Sequence, residues 1–160
     1  MKGHGKKKIF FEVKEYAQED YPYLADMYDV FVPKGKFQGI PPCDNDTCSI
    51  WLRHVTDNGK NFVAYVKGGN RIVGHVALLP DFDKLDAEYL AFVVQSYRGK
   101  GVGSKLTQQA IKWCRRNGIK IIWLTVDAHN FRAIRLYRKH GFYFPKPVDC
   151  MSERLMVLKL

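Results

Sequence analysis

A glycine-rich turn between a predicted buried strand and a predicted helix is the segment that most restricts how this chain can fold. It reads Val-Val-Gln-Ser-Tyr-Arg-Gly-Lys-Gly-Val-Gly-Ser over residues 93–104. Glycines allow a turn with positive φ and let backbone N–H groups approach a ligand closely. The N-terminus of the following helix adds unpaired N–H donors and the positive end of its dipole. A strand, a turn and a helix in this order therefore predict a phosphate-binding site within an α/β fold.

Two common phosphate-binding motifs do not fit this turn. A Walker A loop needs Gly-x4-Gly-Lys-Ser/Thr, but counted from Gly99 the second glycine is replaced by Ser104, and Lys105 is followed by Leu106. A dinucleotide fingerprint needs Gly-x-Gly-x-x-Gly, and Ser104 stands where its last glycine should be. The turn is therefore neither a Walker A loop nor a dinucleotide fingerprint.

Length and charge set further limits. The chain has 160 residues, 46% of them hydrophobic and 26% charged, which favours one globular domain. Its net charge of +10 is uneven, because residues 98–160 hold 14 Lys/Arg and three acids whereas residues 9–97 hold eight Lys/Arg and 13 acids. This split suggests an anion-facing half and a cation-facing half. Residues 1–7 are expected to be a flexible basic N-terminus, and no apolar stretch is long enough to cross a membrane.

Hydrophobic periodicity predicts the order β-α-α-β-β-β-α-β-α-β-β, which is a mixed sheet with helices on its faces. The predicted strands cover residues 8–14, 61–66, 72–79, 88–94, 119–126, 142–144 and 155–160. The predicted helices cover residues 17–31, 47–55, 103–117 and 130–140. A Gly-Gly-Asn turn over residues 68–70 predicts a hairpin between the second and third strands.

The cysteines carry little information by themselves, and a chain of this size without a secretion signal is expected to be reduced and cytoplasmic. The four cysteines include one C-x4-C pair, Cys43 and Cys48, with only His54 nearby. Zinc sites normally need two well-formed pairs, so no metal site is predicted. The apolar run over residues 9–11 is too short for a secretory signal, which favours a cytoplasmic location.

Two motifs carry a resemblance to a known family. Arg98-x-x-Gly101-x-Gly103 resembles the pyrophosphate loop of the GCN5-related N-acetyltransferases (GNATs), which bind acetyl-coenzyme A. Residues 124–142 resemble the second signature of that family: a strand, Asn130, an alanine, Leu-Tyr and then Gly-Phe. The resemblance covers about residues 88–144. It implies a single GNAT-like acyl-CoA acyltransferase domain over residues 1–160, with a central, mostly antiparallel sheet and helices on both faces.

The resemblance also implies acetyl-CoA as cosubstrate and a set of residues that bind it. Backbone amides of the turn would hold the pyrophosphate. The edge of the preceding strand would pair with the pantetheine arm, as an extra strand does. The last helix would contact the cofactor from its first turns. The implied cofactor-binding residues are Phe92, Val93, Val94, Arg98, Gly99, Lys100, Gly101, Val102, Gly103, Ser104, Asn130, Ala133 and Tyr137.

The family motif places the general acid at Tyr137, which would protonate the leaving thiolate. A phenol has a pKa near 10 and does not ionise at rest. The attacking amine must lose a proton, and Glu88, Asp86, His75 or a water molecule are open as the base, with Glu88 preferred. The family alignment places the usual glutamate at Ala87, however, and an offset of one residue reverses the strand face.

The predicted activity is acetyl-CoA-dependent transfer to a primary amine of a small molecule or protein, by direct attack in a ternary complex. No cysteine lies in either motif, so a covalent acetyl-enzyme is not indicated. A non-catalytic acyl-CoA-binding domain and a basic nucleic-acid-binding module are the alternatives, and a homodimer stays open.

The acceptor site is predicted in the acidic first half of the chain, which favours a cationic amine. Residues 34–48 form the candidate acceptor loop. The aromatic residues of the first third of the chain are expected to contribute to this site or to the core. They are Tyr21, Tyr23, Tyr28, Phe31, Phe37 and Trp51.

Overall fold

Six strands form one mixed sheet, in chain order from edge to edge, in the computed structural model, which describes residues 10–35, 40–147 and 151–160. The strands are β1 (Phe11–Glu15), β2 (Lys60–Val66), β3 (Ile72–Asp81), β4 (Asp86–Val93), β5 (Ile121–Asp127) and β6 (Glu153–Lys159). Neighbouring strands are antiparallel except β4 and β5, which run parallel.

Four α-helices cover the two faces of this sheet. They are α1 (Tyr21–Val30), α2 (Asn45–Asn58), α3 (Val102–Arg116) and α4 (Phe131–Lys139). The core under α1 and α2 includes Leu24 and Leu52, and the core under α3 and α4 includes Leu106 and Ile134. The predicted α/β fold, with a mostly antiparallel sheet and helices on both faces, is confirmed. Within the ranges that the structure describes, no helix combines the length and hydropathy needed to cross a bilayer.

The predicted strand over residues 142–144 is not observed as a strand. Only Tyr143 pairs with β6, in an isolated antiparallel bridge to Val157. Pro145 and Pro147 follow directly, and a proline has no N–H to donate to a ladder. The pairing therefore stops after one residue.

The predicted loop over residues 80–86 is shorter in the structure, because β3 and β4 extend into it. The two strands pair as far as Asp81 and Asp86. Pro80 is tolerated inside β3 since the register with β2 ends at Leu78, so no β2 residue pairs with it. The proline and the acidic residues of this segment led to the prediction of a longer loop than the structure has.

The helix α3 lies close against β3 because Gly74 has no side chain. A Cβ added to Gly74 would lie 2.8 Å from Val102 Cγ1 and 2.9 Å from Leu106 Cδ1. This close approach fixes where α3 begins, and with it the position of the glycine-rich turn.

The ladder between β4 and β5 is short. Its register covers only Asp86–Glu88 on β4 and Ile121–Trp123 on β5, although β4 continues to Val93. Beyond Glu88, the edge of β4 that faces β5 has no strand partner among the residues that the structure describes. The sheet therefore opens between β4 and β5, next to the glycine-rich turn and between the helices of the two faces.

Candidate active site

The glycine-rich turn presents a row of unpaired backbone amides. Gly99 and Gly101 have φ values of +71° and +86°, and α3 begins at Val102. In the described part of the chain, the amides of residues 99–104 have no hydrogen-bond acceptor, and no side chain caps α3. Six consecutive free N–H groups at a helix N-terminus make a site for an anion.

The space above this turn is open. A Cβ added to Gly99 or Gly101 would meet no atom within 4 Å. The starts of α2 and α4 differ, since the side chains of Asp44 and Asn130 accept hydrogen bonds from amides of their first turns. The first turn of α3 also contains no acidic residue. These residues fit an anionic group such as the pyrophosphate of coenzyme A.

The guanidinium of Arg98 is held by protein carbonyls. Its Nε donates to the Val93 carbonyl oxygen at 2.9 Å and its Nη2 donates to the Val32 carbonyl oxygen at 3.0 Å. The guanidinium also lies 5.7 Å from the centre of the Phe31 ring. The Arg98 amide donates to the Gln95 carbonyl, so it differs from the free amides that follow. Arg98 therefore joins the turn to the segment after α1.

Two backbone groups of the predicted cofactor-binding segment over residues 92–94 form hydrogen bonds within the protein. The Val94 N–H donates to the Val73 carbonyl oxygen, and the Val93 carbonyl accepts from Arg98. In the described ranges, the edge of β4 without a partner strand begins directly after Glu88, the last residue in register with β5, and it continues to Val93.

Tyr137 projects from α4 towards the point where the sheet opens. Its ring packs edge-on against Tyr89 at 6.0 Å and lies 5.8 Å from the Phe142 ring. Tyr89 directly follows Glu88, so the Tyr137 ring contacts a side chain from the first residue of β4 beyond its register with β5. Its hydroxyl has no hydrogen-bond partner among the described residues, and it is not sealed from solvent. Burial raises the pKa of Tyr137 to about 12, so it keeps its proton at neutral pH.

Two further polar contacts organise α4. Asn130 Oδ1 accepts a hydrogen bond from the Ala133 amide at 3.2 Å, which makes Asn130 the N-cap. Ser104 Oγ and His140 Nε2 are 2.9 Å apart, so the start of α3 is bound to the end of α4. Burial, and then the charge of Lys139, lower the pKa of His140.

Glu88 lies on the other face of β4, where it lines a cavity of about 590 Å³ between the sheet and α2. The carboxylate is half-buried and has no hydrogen-bond or ion-pair partner in the ranges that the structure describes. Burial raises its pKa. The neighbouring Ala87 is fully buried in the core with Leu106 of α3. Glu88, not position 87, therefore faces the cavity, so the offset in the family alignment does not turn this carboxylate into the core.

The other two candidate bases do not line this cavity. Asp86 Oδ1 accepts a hydrogen bond from Trp123 Nε1 at 3.4 Å. His75 is fully buried, with Tyr28 Oη 2.7 Å from its Nδ1 and Asn61 Oδ1 2.8 Å from its Nε2. The amide nitrogen of Asn61 donates to two backbone carbonyls, so Nε2 must be the donor and Nδ1 the acceptor.

Burial lowers the pKa of His75 to about 3. With both ring nitrogens engaged and no exposure to solvent, His75 is a core histidine in this structure. It is not placed to remove a proton from an acceptor.

The acceptor side combines predicted residues with residues that the sequence reasoning missed. The candidate loop contributes Asp44 and Thr47 to the cavity, and Trp51 lies in its wall. His54 and Leu90 also line it, and no sequence pattern had marked them as site residues. Residues 44, 47, 51 and 55 all line the cavity from one face of α2, and their helical spacing could have revealed that face from the sequence. Residues 36–39, which include Phe37, lie outside the described residues.

The rest of the predicted aromatic cluster belongs mainly to the core. Tyr28 and Phe31 are buried and pack against Phe92, with ring centres 5.6 Å from it in both cases. Cys43 is exposed beside the cavity, whereas Cys48 is buried in α2.

Comparison with known sequences identifies a family. The model of the acetyltransferase (GNAT) family matches residues 10–142. A spermine/spermidine N(1)-acetyltransferase of Bacillus subtilis is 35% identical over 75 residues, which are 43% of this chain and 46% of that protein. A mycothiol acetyltransferase of Corynebacterium efficiens is 30% identical over 94 residues, covering 59% of this chain and 30% of that protein. The chain spans about half the length of the first curated relatives that it matches.

Solved structures share the fold. A GNAT-family acetyltransferase from Streptococcus pneumoniae superimposes with a TM-score of 0.74 at 23% identity, covering 94% of this chain and 99% of that one. The Salmonella typhimurium protein yncA, solved with its cofactor acetyl-CoA, has a TM-score of 0.70 at 20% identity, with 93% of each chain covered.

Proposed function

The chain belongs to the acetyltransferase (GNAT) family, as its two motifs predicted, and we propose that it transfers an acetyl group from acetyl-CoA to a primary amine by direct attack in a ternary complex. One observation carries this proposal. At the end of the β4–β5 ladder, Tyr137 approaches from the α4 face and Glu88 lies on the α2 face. A phenol and a carboxylate on opposite sides of one opening suit a reaction in which one group loses a proton and another gains one.

The cofactor side of the site is built from backbone. The free amides of residues 99–104 would hold the pyrophosphate, as helix N-termini do. The unpaired edge of β4 after Glu88 would accept the amide-like pantetheine arm as a strand partner. Bound acetyl-CoA supplies an activated acetyl group and a thiolate leaving group.

The carboxylate of Glu88 prepares the amine. An alkylamine of pKa about 10.4 is neutral in only about one molecule in 2,500 at pH 7, so its proton must be removed before it can attack. Glu88 takes that proton directly or through one water molecule. The amine nitrogen then forms a bond to the carbonyl carbon, and the bond from that carbon to sulfur breaks.

The phenol of Tyr137 assists the departing sulfur. Its hydroxyl donates its proton to the sulfur as the carbon–sulfur bond breaks, so that coenzyme A leaves as a thiol. The second proton, which the nitrogen releases as it becomes an amide, restores the phenol. The aromatic surroundings of the phenol strengthen the donation to sulfur because they lower the local dielectric. Cys48 and Cys114 are buried, and burial raises the pKa of both thiols, which disfavours an acetylated intermediate on either of them.

The relatives do not supply the acceptor. The names of the Bacillus subtilis and Corynebacterium efficiens proteins point to different acceptors, and the matched segments cover at most about half of either protein. The acceptor must therefore be inferred from the residues of this chain.

An amine-panel assay tests the proposed function. Incubation with acetyl-CoA should release free thiol and acetylated amine in equal amounts, measured by thiol titration and mass spectrometry. Acetyl-CoA at 100 times its Kd should stabilise the fold by about 2.7 kcal/mol, which for this chain length raises Tm by about 5–10 °C. Binding without turnover of any amine would support the non-catalytic alternative. A salt-sensitive shift with DNA, and none with acetyl-CoA, would support the nucleic-acid alternative.

A further inference from the structure

The cavity on the α2 face has a carboxylate at each end. The lining residues of α2 run from its N-cap, Asp44, to Val55, a rise of about 16 Å along the helix. Glu88 is in register with Leu79 of β3. A Cβ added to Gly59, which follows α2, would lie 3.1 Å from Leu79 Cδ2. Glu88 therefore lies near the C-terminal end of α2, and Asp44 lies at the N-terminal end.

The wall between these two ends is apolar and aromatic. The rings of Trp51 and Phe92 meet almost at right angles, with centres 5.6 Å apart. Leu90 lies between Phe92 and Glu88 on the same face of β4 and also lines the cavity. This wall suits a hydrocarbon chain, which gains free energy when apolar surface is removed from water.

Two acidic side chains line the cavity within the described ranges, Asp44 and Glu88. Asp44 accepts hydrogen bonds from both the amide and the hydroxyl of Thr47, and these bonds lower its pKa, so it is ionised at neutral pH. Glu88 lies inside without a partner in the described ranges. Among the described lining residues there is no lysine or arginine. A half-buried carboxylate in an apolar wall is best compensated by a cation.

We propose that the acceptor is a linear aliphatic diamine, with its reacting amine at Glu88 and its distal ammonium at Asp44. This inference rests on the proposed function and specifies the substrate class of that same site. The hydrocarbon spacer lies along Trp51, Phe92 and Leu90. Asp44 is thus a specificity-determining residue, since it touches the end of the acceptor that does not react.

A matched pair of α2 variants tests this proposal. Asp44→Asn removes the charge but keeps the helix cap, because asparagine is as good an N-cap as aspartate. Asp46→Asn is the control: Asp46 is an exposed acid in the same helical turn that does not line the cavity. The substrates are diaminobutane, diaminohexane and diaminooctane, each compared with the monoamine of the same chain length.

The readout is the ratio of kcat/KM for the diamine to kcat/KM for the matched monoamine. In the unmodified protein we expect this ratio to peak at one chain length and to fall as salt is added. Asp44→Asn should lower the peak ratio roughly three- to fivefold, the effect of one solvent-exposed charge pair. Asp46→Asn should leave the ratio unchanged.

Three results would overturn the proposal. One is an Asp44→Asn ratio equal to that of the unmodified protein, and another is an equal fall in both variants. The third is a peptide with a free N-terminal amine that is a better acceptor than every diamine. In all three cases amines are still acetylated, so the proposed function stands. If no amine is acetylated, the proposed function fails and the substrate assignment fails with it.

Discussion

The two sides of the opening at the end of β4 are built from different material. On the α3 side, the groups that would face the proposed ligand are backbone amides positioned by glycines. On the α2 side, they are side chains from the segment before α2, from α2 itself and from β4. The backbone side is basic in sequence and the side-chain side has two carboxylates. A site made of backbone groups can keep its ligand while the side chains vary. The ligand preference of a site made of side chains depends on which side chains are present.

The largest expected effect separates binding from chemistry on the cofactor side. Tyr137→Phe should lower kcat about 100-fold, because general acid catalysis contributes at least this factor, and should leave the Kd of acetyl-CoA unchanged. Steady-state kinetics and calorimetry measure the two quantities. Tyr143→Phe, at an exposed position, is the control. A kcat within twofold of the unmodified value would remove Tyr137 as the acid.

The second prediction concerns the buried histidine on the acceptor side. In the unfolded chain His75 binds a proton near pH 6.5, but in the fold only near pH 3. Stability from its neutral form is therefore complete above pH 6.5 and is lost as the pH falls. Between pH 8 and pH 5 this loss should be about 2 kcal/mol.

Urea unfolding at the two pH values measures that loss. His75→Gln has no titrating group, so its free energy of unfolding should fall by about 2 kcal/mol less over the same interval. His54→Gln, at an exposed position, should behave like the unmodified protein. Equal pH dependence in all three proteins, or an NMR titration of His75 with a midpoint near pH 6, would contradict the core assignment.

The third prediction tests the carboxylate on the acceptor side. Glu88→Gln should lower kcat/KM about tenfold at neutral pH and remove the acidic limb of the pH–rate profile. Burial raises the pKa of Glu88, so in the unmodified protein this limb should lie above the ordinary pKa of a glutamate. Asp86→Asn should retain the limb. A limb that persists in Glu88→Gln would transfer the role to another base.

The stability of Glu88→Gln should change in the opposite direction to its activity. A folded-state pKa above the unfolded value means that the ionised carboxylate destabilises the fold, and this penalty is present at neutral pH. Removing the charge should therefore raise Tm slightly, by up to about 3 °C. A lower Tm would show that Glu88 supports the fold through a contact of its own.

The smallest expected effect concerns the packing that positions the backbone side. Gly74→Ala should destabilise the fold by about 1 kcal/mol and lower Tm by about 2–4 °C, because the new methyl group would crowd Val102 and Leu106. The atoms it meets are side-chain ends that can shift, which keeps the effect small. Gly69→Ala is the control, since the nearest atom to its Cβ is 4.0 Å away. Equal melting temperatures would mean that α3 is not held by this contact.

The difference between a backbone site on the α3 side and a side-chain site on the α2 side also explains what could be predicted from the sequence. The conformation of the turn before α3 could be predicted from its residues, because glycine spacing in a short segment determines backbone conformation, whereas its role in binding the cofactor stays a prediction. The spacing of seven residues predicted only that Tyr137 shares a helix face with Asn130, and its role as the acid, which the family resemblance implies, also stays a prediction. The resemblance over residues 88–144 covers this side of the site.

The acceptor cavity could be predicted only in outline. Its wall joins Trp51 to Phe92, whose contact depends on how α2 packs on the sheet rather than on any local pattern. The hydrogen bonds of His75 to Tyr28 and Asn61 join three elements and have no signal in the sequence. The strand predicted over residues 142–144 was wrong as a strand because prolines end its pairing.

The bonds of Arg98 have a consequence for anyone who wishes to redesign the acceptor side. The Arg98 guanidinium donates to the carbonyl oxygen of Val93, at the end of β4, and to that of Val32, which lies 66 positions before Arg98 in the chain. If a different loop replaced the whole segment between α1 and α2, it would have to present a carbonyl oxygen at the position of Val32 to keep the hydrogen bond from Arg98. An engineered acceptor loop should therefore begin after Val32, so that the Val32 carbonyl and its hydrogen bond from Arg98 are kept.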